Sequence, residues 1–217
     1  MPLLENKIIA IENVWLSYTD KNILEDINLD IYQGDFLLIT GPNGGGKTSL
    51  LRTILRLQSP TKGRISFFRQ GEPVSSLDMG YLPQKNSIDS RFPITVEEVV
   101  ASGLMGNTQK GNTKFDSKKE IDEMLDLMGI TALRNKPIGV LSGGQLQRSF
   151  FGRALISKPE MLILDEPASY IDRQFGNRMF EILRDLSSNG TTIMMVSHEI
   201  EPFITLSNRN LYINHIL

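Results

Sequence analysis

Residues Gly41-Pro42-Asn43-Gly44-Gly45-Gly46-Lys47-Thr48 satisfy the spacing GxxxxGK(S/T), a pattern whose parts serve one task, the holding of phosphates. Glycines let the backbone curl so that successive N–H groups face an anion. Lys47 adds a cation for the outer phosphates, Thr48 offers a hydroxyl to Mg²⁺, and a helix behind the loop adds the positive end of its dipole. The flanking sequence supplies the setting: residues 36–40 are an apolar run suited to a strand buried on both faces, and residues 49–57 are Leu- and Ile-rich at helical length.

Two further clusters can do chemistry. Met161-Leu162-Ile163-Leu164-Asp165-Glu166 reads as a buried strand ending in two carboxylates, at the carboxyl end where open α/β sheets bind ligands. Asp165 can hold the shell of Mg²⁺, and Glu166 can accept a proton from, or orient, the water that attacks a γ-phosphate. The carboxylate pair draws this meaning from the company of the glycine loop. In Leu141-Ser142-Gly143-Gly144-Gln145, Ser142 and Gln145 have capping-box spacing for a helix over residues 146–156. Two adjacent glycines in its first turn cost about 1 kcal/mol each relative to Ala, so something must approach that backbone closely, and a phosphate fits.

The elements that must position these residues follow from periodicity. Residues 8–18 and 28–32 alternate as an antiparallel strand pair joined by the turn-rich residues 19–22, and residues 64–68 form a further strand. Residues 90–140 read as a mostly helical insert, with capping-box starts at Thr95-x-x-Glu98 and Ser117-x-x-Glu120 and helical recurrence of Ile121, Met124, Leu125 and Met128. Residues 161–164 and 191–196 are buried-strand runs separated by a helix with an apolar face of Phe175, Met179, Ile182, Leu183 and Leu186. Residues 106–114 are polar enough for a surface loop, and residues 214–216 lie in a strand-like C-terminal tail. Strands alternating with helices predict an α/β fold with a mainly parallel sheet and right-handed crossovers.

The 217 residues fit one domain, with hydrophobic residues at 40% and charged residues at 22%, ordinary globular usage. Lys plus Arg total 23 against 25 for Asp plus Glu, so a net charge of -2 gives no general attraction to nucleic acid or anionic lipid. The absence of Cys excludes a disulfide framework, a thiolate metal site and a cysteine nucleophile. No apolar run approaches the roughly 20 residues that span a bilayer, and the first residues lack the pattern of a signal peptide, which predicts a cytoplasmic chain.

Taken in order, the motifs resemble those of ATP-binding cassette ATPases along almost the whole chain. Residues 141–145 are similar to that family's signature motif, 41–48 to Walker A, 161–166 to Walker B, and Gln84 in Tyr81-Leu82-Pro83-Gln84 to the Q-loop glutamine. Tyr18 resembles the aromatic that stacks on adenine, Asp172 the D-loop aspartate, and His198 in Val196-Ser197-His198-Glu199 the switch histidine. His215 matches no motif.

The resemblance implies a P-loop NTPase-type fold over residues 1–217, with an N-terminal antiparallel β subdomain and a helical subdomain at about 90–157 that carries the signature. It implies ATP bound by Tyr18, 41–48 and Ser49, Mg²⁺ held by Thr48, Gln84 and Asp165, and catalysis by Glu166, Gln84 and His198. Two chains would pack head to tail, so that Leu141, Ser142, Gly143, Gly144 and Gln145 of one complete the nucleotide site of the other. Losing the γ-phosphate would remove the bridge between them.

The same likeness extends to the ATPase subunits of zinc, manganese or iron importers, through Tyr81-Leu82-Pro83-Gln84, Gly44-Gly45-Gly46-Lys47-Thr48 and Phe92-Pro93-Ile94-Thr95. A membrane permease would then dock on residues 84–103, with a substrate-binding protein as an indirect partner, and the chain would lie peripherally on the inner face of the cell membrane. Iron-chelate or haem import is the nearest alternative cargo. A soluble cassette ATPase or an ATP-gated binding module is the alternative of another class. One departure stands out: Tyr170 and Ile171 in the D-loop occupy positions where a small residue and leucine are usual in the family.

Overall fold

The computed structural model describes residues 6–19, 21–84, 93–105, 114–169, 172–198, 201 and 203–214. In chain order the elements are β1 (Lys7–Tyr18), β2 (Lys21–Tyr32), β3 (Phe36–Thr40), α1 (Lys47–Ile54), β4 (Lys62–Arg69), β5 (Glu72–Val74), β6 (Met79–Leu82) and α2 (Val96–Ser102). They continue with α3 (Lys114–Leu127), 3-10 turns at Thr131–Leu133 and Ile138–Val140, α4 (Gly143–Leu155), β7 (Met161–Asp165), α5 (Arg173–Ser188), β8 (Thr192–Val196) and β9 (Arg209–Tyr212). The chain divides into two compact units, Met1–Leu77 with Ile182–Leu217, and Asp78–Glu181.

In the first unit an antiparallel sheet has the order β2-β1-β4-β5. Its inner positions, among them Ile9, Ile11, Val14, Leu16 and Ile31, are almost fully buried. The second strand starts at Lys21 rather than at residue 28, because pairing with β1 continues to Tyr18↔Lys21. Beside this sheet in sequence, β3 pairs in parallel with β8 on one side and with β9 on the other. Both β3 and β8 are buried almost throughout, which is why they read as continuous apolar runs rather than alternating ones. The carboxylate of Asp35, 7% exposed, accepts hydrogen bonds from the Tyr32 backbone N–H and from the Arg209 guanidinium, which ties the start of β9 to the turn before β3. A strand-like C-terminal tail was expected without bounds; the strand there is β9, and of residues 214–216 only Asn214 is among the described ones.

In the second unit β6 and β7 run parallel, and α2, α3 and α4 form the helical part. α2 opens with the expected capping box: the Thr95 hydroxyl accepts from the Glu98 N–H, and the Thr95 N–H donates to the Glu98 carboxylate at 2.8 Å. The Thr95 backbone N–H, with its hydroxyl, holds the Glu98 carboxyl below its ordinary range. The other expected start is wrong. α3 is already under way at Lys114, so Ser117 lies within the helix. What fixes α3 is its buried stripe of Ile121 and Leu125, with Met128 just beyond, and this packing outweighs a local capping pattern. The loop expected at 106–114 falls outside the described residues up to 113.

α4 packs against β6, α2 and α3. A β-carbon on Gly80 of β6 would lie 2.0 Å from the Ala154 carbonyl oxygen of α4, so strand and helix meet backbone to backbone there. Gly80→Ala must push them apart, at a cost of about 1–3 kcal/mol. The expected outcome is a thermal midpoint several degrees below wild type, measured by circular dichroism.

Candidate functional site

The phosphate loop leaves the end of β3. Gly41 has φ 140 and Gly46 has φ 94, and added β-carbons would lie 1.9 Å from the Ile213 oxygen and 2.7 Å from the Ile23 oxygen respectively. Only glycine fits either position. Gly46 is the N-cap of α1, without a side-chain cap and with no acidic residue in the first turn. α1 therefore starts two residues earlier than expected, with Lys47, Thr48 and Ser49 as its first turn, whose N–H groups have no i−4 carbonyl within the helix. Lys47, 7% exposed, folds back so that Nζ donates to the Gly41 and Pro42 carbonyls, both at 2.8 Å. A cation held by two carbonyls beside a helix N-terminus without a side-chain cap fits a phosphate chain.

His198 is placed by the same strand. Ile39 of β3 pairs with Val196 of β8, and the Ser197 N–H still donates to the Ile39 carbonyl at 3.3 Å. The loop at 41 and the exposed His198 thus leave the carboxyl ends of two adjacent parallel strands at the same level. Tyr18, at the end of β1, is 49% exposed, and its hydroxyl donates to Gln58 Oε1 at 2.7 Å. Gln58 was not expected; it is distant in sequence and belongs to no motif.

The second unit repeats this logic. Leu82 of β6 pairs with Leu164 of β7, so Gln84 and Glu166, each two residues further on, leave adjacent parallel strands in step. Gln84 is exposed, while Asp165 and Glu166 are 1% and 8% exposed. Glu166 has φ 52, the left-handed region, which an L side chain enters at a cost. The hard oxygens of Asp165 and of Thr48 are donors of the kind Mg²⁺ takes.

Ser142 caps α4 as expected: its hydroxyl accepts from the Gln145 N–H at 3.3 Å, and its N–H donates to Gln145 Oε1 at 3.1 Å. The helix begins at Gly143, so both glycines lie inside its first turn. Asp172 proves to be a helix cap as well. Its Oδ1 accepts from the Phe175 N–H at 2.9 Å at the start of α5, and its other oxygen accepts from the Arg148 guanidinium of α4. Arg148 also lies over the Phe175 ring, 4.4 Å from its centroid. The D-loop departure at Tyr170 and Ile171 lies outside the described residues.

The family model for ABC transporter matches residues 24–169. The chain belongs to the ATP-binding cassette transporter family. It is 37% identical to the zinc uptake system ATP-binding protein ZurA of Listeria innocua serovar 6a, over 98% of this chain and 82% of the relative. It is 33% identical to the zinc import ATP-binding protein ZnuC of Haemophilus influenzae, over 97% of this chain and 73% of that one. Among solved structures, a dimeric ATP-binding cassette in a post-hydrolysis state with ADP and Pi matches with a TM-score of 0.83 at 25% identity, covering 95% of this chain and 94% of the other. The cassette therefore has the P-loop NTPase-type α/β fold that the sequence implied, with its antiparallel β sheet and helical part.

The Phe175 N–H, reinforced by Arg148, holds the Asp172 carboxyl below its ordinary range. A depressed carboxylate stabilises the folded cassette above the unfolded pKa of about 4 and loses that contribution as pH falls through the lower folded value. Asp172→Ala should therefore lower the thermal midpoint at pH 7. The gap to wild type should narrow as pH drops below about 4, in melts recorded across that window.

Proposed function

We propose that this cassette hydrolyses ATP as one of two nucleotide-binding subunits on a membrane permease, and that the cargo is a metal cation, zinc first. The observation that carries the ATPase reading is the phosphate loop, where two glycines admit no side chain and Lys47 is folded onto carbonyls that a triphosphate can replace. The zinc reading draws its support from the two zinc-import relatives, each matched over nearly all of this chain. The dimer reading draws its support from the dimeric cassette with a TM-score of 0.83. Among the described residues, no helix is long and apolar enough to cross a membrane; the permease reading draws its support from the import systems to which the relatives belong.

In this reading the 41–48 backbone and Lys47 hold the phosphates, Ser49 adds to that first turn, and Tyr18 stacks on the adenine. Thr48, Asp165 and Gln84 would hold Mg²⁺, which when bound offsets charge on the β- and γ-phosphates. Glu166 takes the proton of the attacking water, with Gln84 and His198 orienting the water and the γ-phosphate. Leu141, Ser142, Gly143, Gly144 and Gln145 act on the nucleotide of the second cassette, and Asp172 lies near that contact. A metal-binding protein outside the membrane is the expected indirect partner, with this chain on the inner face.

Glu166→Gln should bind Mg-ATP as wild type does and release phosphate at least about 100-fold more slowly. Lys47→Ala should instead weaken Mg-ATP binding about 10- to 100-fold, as for loss of charge-assisted hydrogen bonds. Titration and steady-state phosphate release separate the two. For the cargo, capture of the tagged chain from native membranes under ATP should recover a polytopic permease and a zinc-loaded binding protein. Recovery of soluble ribosomal or DNA-associated partners alone would leave the ATPase chemistry and overturn the transport assignment.

A further inference from the structure

Glu166 is an anomaly that the ATPase role alone does not account for. It is a non-glycine residue at φ 52, only 8% exposed, at the point where β7 gives way to a turn closed by the Ser169 N–H on the Glu166 carbonyl at 3.2 Å. A left-handed backbone at a residue with a side chain costs about 1–2 kcal/mol and persists only where its surroundings fix it. On one side Glu166 is fixed by β7, which is buried at every position and paired with β6. On the other side stands Pro167, whose ring locks its own φ and removes the right-handed helical alternative for the residue before it while biasing that residue toward extended backbone, so the left-handed turn needs a further hold.

The third restraint comes from α4. Gln147 is 2% exposed, and its Nε2 donates to the Pro167 carbonyl at 3.4 Å. It shares a stripe with Phe150, Phe151 and Ala154, all buried, at the spacing of one helix face. A carboxamide on such a face is expensive unless its polar atoms are used, and its Nε2 is used on the peptide that follows the proposed base.

We propose that Gln147 is a positioning residue for Glu166: its grip on the Pro167 carbonyl keeps the Glu166 backbone left-handed and so aims the carboxylate at water. The inference rests on the ATPase reading. Gln147 touches no nucleotide in this account. It acts through Pro167, and its loss leaves the phosphate loop intact while the base swings away from line.

The test compares the full chain with Gln147→Met, which keeps the shape and removes the donor, and Gln147→Glu, which keeps the shape and donates only when protonated. Met should lower kcat about 10- to 100-fold, the range for misplacing a catalytic group, with Mg-ATP affinity within about two-fold of wild type. Burial raises a carboxyl pKa, so Glu should be as slow as Met at about pH 8.5 and should recover toward the wild-type rate as pH falls to about 6. A purely structural role would lower the thermal midpoint and Mg-ATP affinity together with kcat, whereas positioning lowers kcat alone. If Met unfolds the chain, the pH profile of Glu decides alone. Wild-type kcat in both variants, or equal loss at every pH in Glu, overturns the positioning role. A wild type that binds Mg-ATP without releasing phosphate overturns the ATPase reading beneath it instead.

Discussion

The backbone of Gly41 passes so close to Ile213 that a β-carbon there would lie 1.9 Å from the Ile213 carbonyl oxygen. That approach is held by the ladder between β3 and β9, which ends Ile39↔Leu211 and Thr40↔Tyr212, and by the Ile213 N–H donating to the Thr40 carbonyl at 2.8 Å. The rest of the loop is conditional on it. Gly41 lies against Ile213 just past β9, and its carbonyl and the next are the ones Lys47 Nζ holds. Lys47 in turn starts α1, whose other buried residues, Leu50, Leu51 and Ile54, fix the helix in the core. A contact without a side chain thus sets where the cation and the open helix end sit.

The carboxyl-end positions obey a related constraint. β3, β7 and β8 bury nearly every residue they contain, so polar chemistry has to wait for the residue after the last ladder pair. In the first unit this places Gly41 and His198 past Ile39↔Val196, and in the second it places Gln84 and Glu166 past Leu82↔Leu164. Parallel register therefore makes partners of residues far apart in sequence. The cost appears at Glu166, where the chain must turn at once, and a carboxylate takes a conformation in which glycine would be at ease.

How much of this was legible follows from how local each signal is. The phosphate loop, the Walker-like strand and the Ser142 cap were legible because their chemistry is written in consecutive residues. β6 was not: four residues including Gly80 are too short and too plain to separate from a loop, and only the approach of α4 explains the glycine. The Ser117 start misled because a capping pattern inside a longer amphipathic helix has no free end to cap. Gln58 and Arg148 were invisible because their partners, Tyr18 and Asp172, come from other elements. Gln147 did leave a trace, a polar residue at a core position of the 150, 151, 154 stripe, the kind of mismatch that marks function.

Within the second unit α4 therefore holds both ends of the connection from β7 to α5. Gln147 and Arg148 are consecutive, and consecutive helical residues point about 100° apart, so one reaches Pro167 while the next reaches Asp172 and the Phe175 ring. The two contacts differ in kind. The buried amide contact sits in low dielectric and is insensitive to salt, whereas the pair with Asp172 is partly exposed, screened, and supported by stacking on Phe175. Because both grips come from the helix whose first turn is the signature, a displacement of that turn cannot leave Pro167 and Asp172 untouched. The same helix therefore ties the motif assigned to the neighbouring nucleotide to the base assigned to this one.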